Sequence, residues 1–167
     1  MIQKKVCMVG VFATGKTSLV RRFVHSKFSD QYLSTVGVKI DRKPVRVNEQ
    51  DVNLLLWDLE GRDGAQDIQT SYLRGSSGVL YVVDGTRRET LVQIAEIHEL
   101  VSKSIGDVPS AIALNKADLT SAWIINDGDR AELGKRPWHV FETSALTGAG
   151  VERAFVWLAE QMGSVAS

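Results

Sequence analysis

The chain predicts an α/β domain built on a largely parallel sheet. Three observations carry that expectation. Apolar runs of strand length alternate with segments of helical periodicity from end to end. A glycine-rich turn, Gly10-Val11-Phe12-Ala13-Thr14-Gly15-Lys16-Thr17, stands between the first strand and the first helix. The short polar stretch Asn48-Glu49-Gln50-Asp51 joins two strands directly and makes one antiparallel hairpin.

Taken in order, Val6-Cys7-Met8-Val9 reads as a buried strand, and Lys16 to His25 as the helix that follows the glycine-rich turn. Arg42 to Val47 and Val52 to Trp57 are the arms of the hairpin. Val79 to Asp84, Ala111 to Asn115 and His139 to Glu142 supply the remaining strands. Their near-continuous apolar character suits strands covered on both faces. A helix from Glu89 to Lys103 places Leu91, Ile94, His98 and Val101 on one face, which makes His98 a core-edge side chain rather than a ligand. Val151, Phe155, Leu158 and Met162 recur at helical spacing and should dock on the sheet. Between Leu119 and Leu133, Trp123-Ile124-Ile125 suggests a helix start that Asn126-Asp127-Gly128-Asp129 interrupts.

A length of 167 residues suggests a single domain spanning 1–167. Twenty basic residues balance twenty acidic ones, so bulk charge offers no argument for nucleic acid or an anionic membrane. The single cysteine, Cys7, cannot form an internal disulfide and is expected to pack in the core, in keeping with a reducing, cytoplasmic setting. No apolar stretch approaches the length of a membrane span. The end Gly163-Ser164-Val165-Ala166-Ser167 holds no cysteine for prenylation, so no direct membrane anchor is expected.

The glycine-rich turn has the spacing of a P-loop: Gly, four residues, Gly-Lys, then Ser or Thr. Successive backbone N–H groups of such a loop cradle phosphate oxygens, and the helix behind it directs its positive end at the anion. Lys16 adds a cation on the β/γ-phosphates, and the Thr17 hydroxyl can ligate Mg²⁺. Asn115-Lys116-Ala117-Asp118 follows an apolar strand directly. A carboxylate accepts two parallel hydrogen bonds from the N–H/NH₂ edge of guanine, an edge adenine lacks. Asp118 is therefore the candidate for base selection, with Asn115 bracing the loops and the Lys116 stem covering the base. Thr143-Ser144-Ala145 follows the last strand, where a small residue lets backbone N–H groups approach the guanine oxygen. Asp58-Leu59-Glu60-Gly61 ends the hairpin: Asp58 can hold Mg²⁺ through water, and Gly61 can offer its N–H to a γ-phosphate. Thr35, flanked by Phe28 and Tyr32, can bring a hydroxyl to the metal.

In this order the motifs resemble those of the Ras-superfamily small GTPases, nearest the Rab and Ras branches, over essentially the whole chain. That resemblance implies a G domain of the P-loop NTPase class: a six-stranded mixed sheet, mostly parallel with one antiparallel hairpin, flanked by about five helices. It implies GTP or GDP bound with Mg²⁺, and protein effectors and regulators at the two switch loops, with no nucleic acid. The implied nucleotide set is Gly10, Phe12, Ala13, Thr14, Gly15, Lys16, Thr17, Ser18, Phe28, Thr35, Gly61, Asn115, Lys116, Asp118, Ser144, Ala145 and Leu146. Thr17, Thr35 and Asp58 would serve the metal, and Lys16, Thr35, Gly61 and Arg62 the chemistry. Asp30 falls near the ribose. A partner would contact the loop around Thr35, the hairpin, and residues around Tyr72 and Leu73.

The departures from the family pattern sit where hydrolysis happens. Arg62 stands where the family usually carries the Gln that orients water, and Leu59-Glu60 replaces the usual Thr-Ala. Phe12-Ala13 replaces small residues, and a bulky Phe12 could obstruct an arginine finger supplied in trans, a device worth about 10³–10⁵ in rate. Arginine stays protonated and cannot serve as a base. Arg62 is thus a lost glutamine, a finger supplied in cis with Glu60 orienting water or pairing with it, or, with Asp63 and Asp67, part of a solvated loop face. Slow or altered GTP hydrolysis is the expectation. The alternatives are a GTP-binding interaction module with little turnover, and a P-loop kinase or ATPase, against which Asn115-Lys116-Ala117-Asp118 argues.

Overall fold

The computed structural model of the chain describes residues 2–11, 13–25, 38–59, 70–136 and 138–164. The elements in order are β1 (Ile2–Val9), α1 (Lys16–His25), β2 (Val38–Val47), β3 (Gln50–Leu59), a 3₁₀ turn (Thr70–Leu73), β4 (Gly78–Asp84), α2 (Arg88–Val92), α3 (Ile94–Ile105), β5 (Ser110–Asn115), α4 (Asp127–Gly134), β6 (His139–Glu142) and α5 (Val151–Ser164). The six strands form one sheet in the order β2-β3-β1-β4-β5-β6. Only β2 and β3 pair antiparallel; the other neighbours are parallel. This is the mixed α/β sheet that the alternation of segments predicts.

Period-2 alternation divides each central strand between two cores. Val6 and Met8 face one side with Leu19 and Phe23 of α1 and Phe155, Leu158 and Met162 of α5. The Phe23 and Phe155 rings stack there at 4.3 Å between centroids. Cys7 and Val9 face the other side with Ile94, Ile97 and Val101 of α3 and Leu133 of α4. The α5 stripe therefore docks on the sheet as expected. Cys7 packs in the core, its Sγ 3.0 Å from the Ser76 hydroxyl, and burial pushes its thiol pKa up. His98 lies half-buried at the core edge, where its Nδ1 meets the Tyr81 hydroxyl at 2.8 Å.

Three local expectations are corrected. The hairpin turn is shorter than Asn48–Asp51: Val47 pairs with Gln50, so Asn48 and Glu49 alone make the turn. Both have positive φ, 49° and 65°, the pattern of a type I′ turn whose twist matches that of the flanking strands. Extending the strands inward to this turn gains ladder hydrogen bonds. Glu49 has no glycine freedom in that left-handed conformation, so Glu49→Gly is expected to stabilise the protein by about 0.5–1 kcal/mol in urea unfolding.

The helix expected over Glu89 to Lys103 is divided at Gln93, whose ψ of −12° flattens the backbone. The hydrogen-bond ladder nevertheless runs through it, from Gln93 N to the Glu89 carbonyl and from Ile97 N to the Gln93 carbonyl. The third correction inverts an expectation. Asn126-Asp127-Gly128-Asp129 starts α4 instead of interrupting a helix. The Asn126 side chain accepts from Asp129 N at 2.9 Å, and the Asp129 carboxylate accepts from Asn126 N at 3.0 Å, a reciprocal cap. Trp123-Ile124-Ile125 forms no helix; Ile124 N donates to the Gly85 carbonyl.

Candidate functional site

The sequence motifs converge at the carboxyl ends of the parallel strands, where open α/β sheets place their ligands. Gly10 to Thr17 follows β1, Asp84 to Arg87 ends β4 and follows it, Asn115 to Asp118 ends β5 and follows it, and Thr143 to Thr147 follows β6. Asp58 reaches the same end of the sheet from the antiparallel hairpin, paired in register with Met8 of β1.

The glycine-rich loop is held by its own side chains and by a distant one. The Thr14 hydroxyl donates to the Val11 carbonyl at 3.1 Å and is fully buried. Ala13 and Gly15 adopt positive φ, 61° and 100°. A side chain on Gly15 would collide with the Asn115 amide, so glycine is needed here for approach as well as conformation. Leu19 N then donates to the Gly15 carbonyl at 2.9 Å, opening α1. Lys16 is buried at the base of the loop, and Thr17 and Ser18 lie half-buried behind and beside it.

The Thr17 hydroxyl donates to Asp58 Oδ2 at 2.5 Å. Asp58 is 1% exposed, and burial pushes its carboxyl pKa up while Lys16 and Thr17 pull it back. A buried carboxylate beside a hydroxyl, next to the glycine-rich loop, is a hard oxygen donor set of the kind Mg²⁺ takes together with phosphate and water. The residues present fit that ion.

Asn115 joins three loops. Its Nδ2 donates to the Thr14 carbonyl at 3.0 Å, and its Oδ1 accepts from the Thr143 hydroxyl at 3.1 Å. Asn115, Thr14, Thr143 and Ser144 are all buried. Lys116 Nζ donates to the Ala13 carbonyl at 3.1 Å. The Ser144 hydroxyl donates to Asp118 Oδ1 at 2.7 Å and accepts from Thr147 N at 3.1 Å, which aims the carboxylate. Ala145 is buried and Leu146 half-exposed.

Sequence reasoning missed two residues here. Arg22 of α1 donates from Nε to the Ala145 carbonyl at 2.8 Å and from a terminal nitrogen to the Leu146 carbonyl. Nothing local to Arg22 signals this, because its partners lie more than a hundred positions away. Asp84 carries a buried carboxylate bound to Lys116 Nζ at 2.8 Å and Arg87 Nε at 3.0 Å. A carboxylate ending an all-apolar strand, as Asn115 ends the next one, was the available signal. Burial works to raise the Asp84 pKa, but Lys116, Thr86 and Arg87 together hold it below the ordinary carboxylate range.

Phe12, Phe28, Asp30, Tyr32, Thr35, Glu60, Gly61, Arg62, Asp63 and Asp67 lie outside the described residues. On the expected partner face, Ile40 of β2 is half-exposed, and the Trp57 and Tyr72 rings lie 6.4 Å apart. Leu73 is a correction: it is fully buried in the core shared with α3, because the 3₁₀ turn points it inward, and it offers nothing to a partner.

The Ras-family sequence model matches residues 5–164. The chain belongs to the Ras family. It is 34% identical over 154 residues to the Ras-related protein Rab-4 of Dictyostelium discoideum, covering 91% of this chain and 75% of the relative. It is 33% identical over 165 residues to the Ras-related protein RABA1g of Arabidopsis thaliana, covering 98% and 76%. The Ras-related protein Rab-1 of Theileria parva is 28% identical over 161 residues, covering 95% and 73%. In this Ras-family small GTPase, two loop braces, Asn115 and Lys116, lie within the Asn115-Lys116-Ala117-Asp118 segment, and a third contact, Asp84, lies outside the motifs read from sequence. No helix among the described residues is long and apolar enough to cross a membrane.

Proposed function

We propose that this Ras-family chain is a guanine-nucleotide switch, one G domain over 1–167, that binds GTP and GDP with Mg²⁺ and hydrolyses GTP slowly. The observation that carries the reading is the Asn115 node. It locks the glycine-rich loop at Thr14 to the loop that aims Asp118, so one ligand with phosphates at one end and a guanine edge at the other would span both. Lys16 would meet the β/γ-phosphates and Asp118 the base N–H/NH₂ edge, with Lys116, Ser144, Ala145 and Leu146 lining the base side. Thr17, Asp58 and Thr35 would hold Mg²⁺, which when bound neutralises phosphate charge. Gly61 and Thr35 would sense the γ-phosphate and order the two switch loops, and hydrolysis would release them. Effectors and regulators would read that order at the Thr35 loop, at Ile40 and Trp57 on the hairpin, and at Tyr72. A cytoplasmic setting accords with Cys7 as a buried free thiol.

Arg62 favours a second reading, a GTP-binding module with little turnover, because no arginine can replace the water-orienting glutamine. Single-turnover GTP hydrolysis with Mg²⁺, read beside the nucleotide content of the purified protein, decides between them. Bound guanine nucleotide with measurable turnover supports the switch; GTP that persists unhydrolysed supports the module. Arg62→Gln is expected to raise the rate. A large fall would instead make Arg62 a finger supplied in cis. Folded protein that binds neither GTP nor GDP would overturn the guanine-nucleotide reading.

A further inference from the structure

The Asp84 carboxylate accepts from four donors. Oδ1 takes Thr86 N at 2.9 Å and the Thr86 hydroxyl at 2.6 Å, while Oδ2 takes Arg87 Nε at 3.0 Å and Lys116 Nζ at 2.8 Å. The turn that presents it is fastened on both sides. Gly85 N donates to the Asn115 carbonyl and the Gly85 carbonyl accepts from Ile124 N, both at 2.9 Å. The Trp123 indole lies so close over Gly85 that any side chain there would strike it. Asp84 itself is 1% exposed, so its carboxylate is a fixed point.

Lys116 is the opposite kind of group. Its side chain is 33% exposed, its backbone sits at φ 69° without being glycine, and a lysine stem freed from its partners gains rotamer freedom in solvent. Strained, part-exposed residues hold one pose only where their surroundings over-determine it. The anion that does so here is Asp84, and the same Nζ reaches the Ala13 carbonyl of the phosphate loop. We infer that Asp84 is a positioning residue of the nucleotide site: it keeps the Lys116 ammonium where it ties the base loop to the phosphate loop, and so sets how slowly bound guanine nucleotide leaves. This rests on the guanine-nucleotide reading of the site.

The test is release of fluorescent N-methylanthraniloyl-GDP from the full chain and from Asp84→Asn, Lys116→Met and the double variant, with thermal unfolding of each. Asn at position 84 still accepts from Thr86 but gives Lys116 no charge partner. Release from Asp84→Asn is expected to quicken about tenfold. The double variant should release no faster than Lys116→Met alone, because Asp84 acts through that ammonium. The preference for guanine over adenine nucleotides should survive in Asp84→Asn, since Asp118 and Ser144 are untouched. Release within about twofold of the parent, or effects that add in the double variant, would overturn the inference. Should Asp84→Asn not fold, the double variant against Lys116→Met decides alone, since removing the lysine relieves its crowding with Arg87; faster release from the double overturns the role. A parent chain that binds no GDP would overturn the guanine-nucleotide reading itself, whereas tight parent binding with unchanged release in Asp84→Asn removes the positioning role only.

Discussion

Asp118→Asn is expected to lower GDP and GTP affinity by about 10²–10³-fold and to turn preference toward xanthine nucleotides. The guanine edge presents two donors, N1–H and the 2-amino group, and needs two acceptors. An asparagine amide offers one acceptor and opposes the other donor with a donor of its own. Xanthine carries a carbonyl in place of the amino group, which that amide can satisfy. The variant should fold, because its remaining side-chain oxygen still accepts from the Ser144 hydroxyl that binds Asp118 at 2.7 Å. Competition of labelled GDP against GTP, ATP and xanthosine diphosphate reads the result. Unchanged selectivity would remove Asp118 from base recognition.

The second large effect is expected at Asn115. Truncation to alanine leaves the Thr14 carbonyl and the Thr143 hydroxyl without the partner they share, in a place closed to water. Two buried groups left unpaired cost about 2–4 kcal/mol of folding stability. Nucleotide affinity should fall about 100-fold, since the phosphate loop and the Asp118 loop lose the side chain that sets their separation. Asn115→Asp separates the two contacts. An aspartate can still accept from Thr143 but faces the Thr14 carbonyl as a like-signed acceptor. It should therefore lose nucleotide as severely as alanine while keeping the Thr143 contact. Urea unfolding and GDP release, measured side by side, check both variants. Full nucleotide affinity in Asn115→Asp would show that the contact to Thr14 does not set the site.

Much of the architecture is legible before any coordinates. Val79 to Val83 and Ala111 to Leu114 are apolar at every position because both sheet faces are covered, and they lie fully buried. The α5 stripe obeys helical spacing because it packs on one sheet face only. Where local reading failed, two weak signals competed. At Asn126 the same side chain that can break a helix can cap one, and the reciprocal bond with Asp129 decided for the cap. At Asn48-Glu49 the polar stretch was longer than the turn, and strand pairing consumed the excess.

The sequence by itself determined the family, the succession of strands and helices along the chain, and the glycine-rich and Asn115-Lys116-Ala117-Asp118 patterns, because each depends on contacts within a few positions or on a fixed spacing. Only the tertiary structure decided which motif residues touch and what holds them. Arg22 is an ordinary helix-surface arginine until α1 meets the loop after β6, and Asp84 ends a strand until β5 lies beside it and brings Lys116 within 2.8 Å. Such contacts are written in no local pattern, since a charge finds its partner only after the sheet has placed strands from distant parts of the chain side by side.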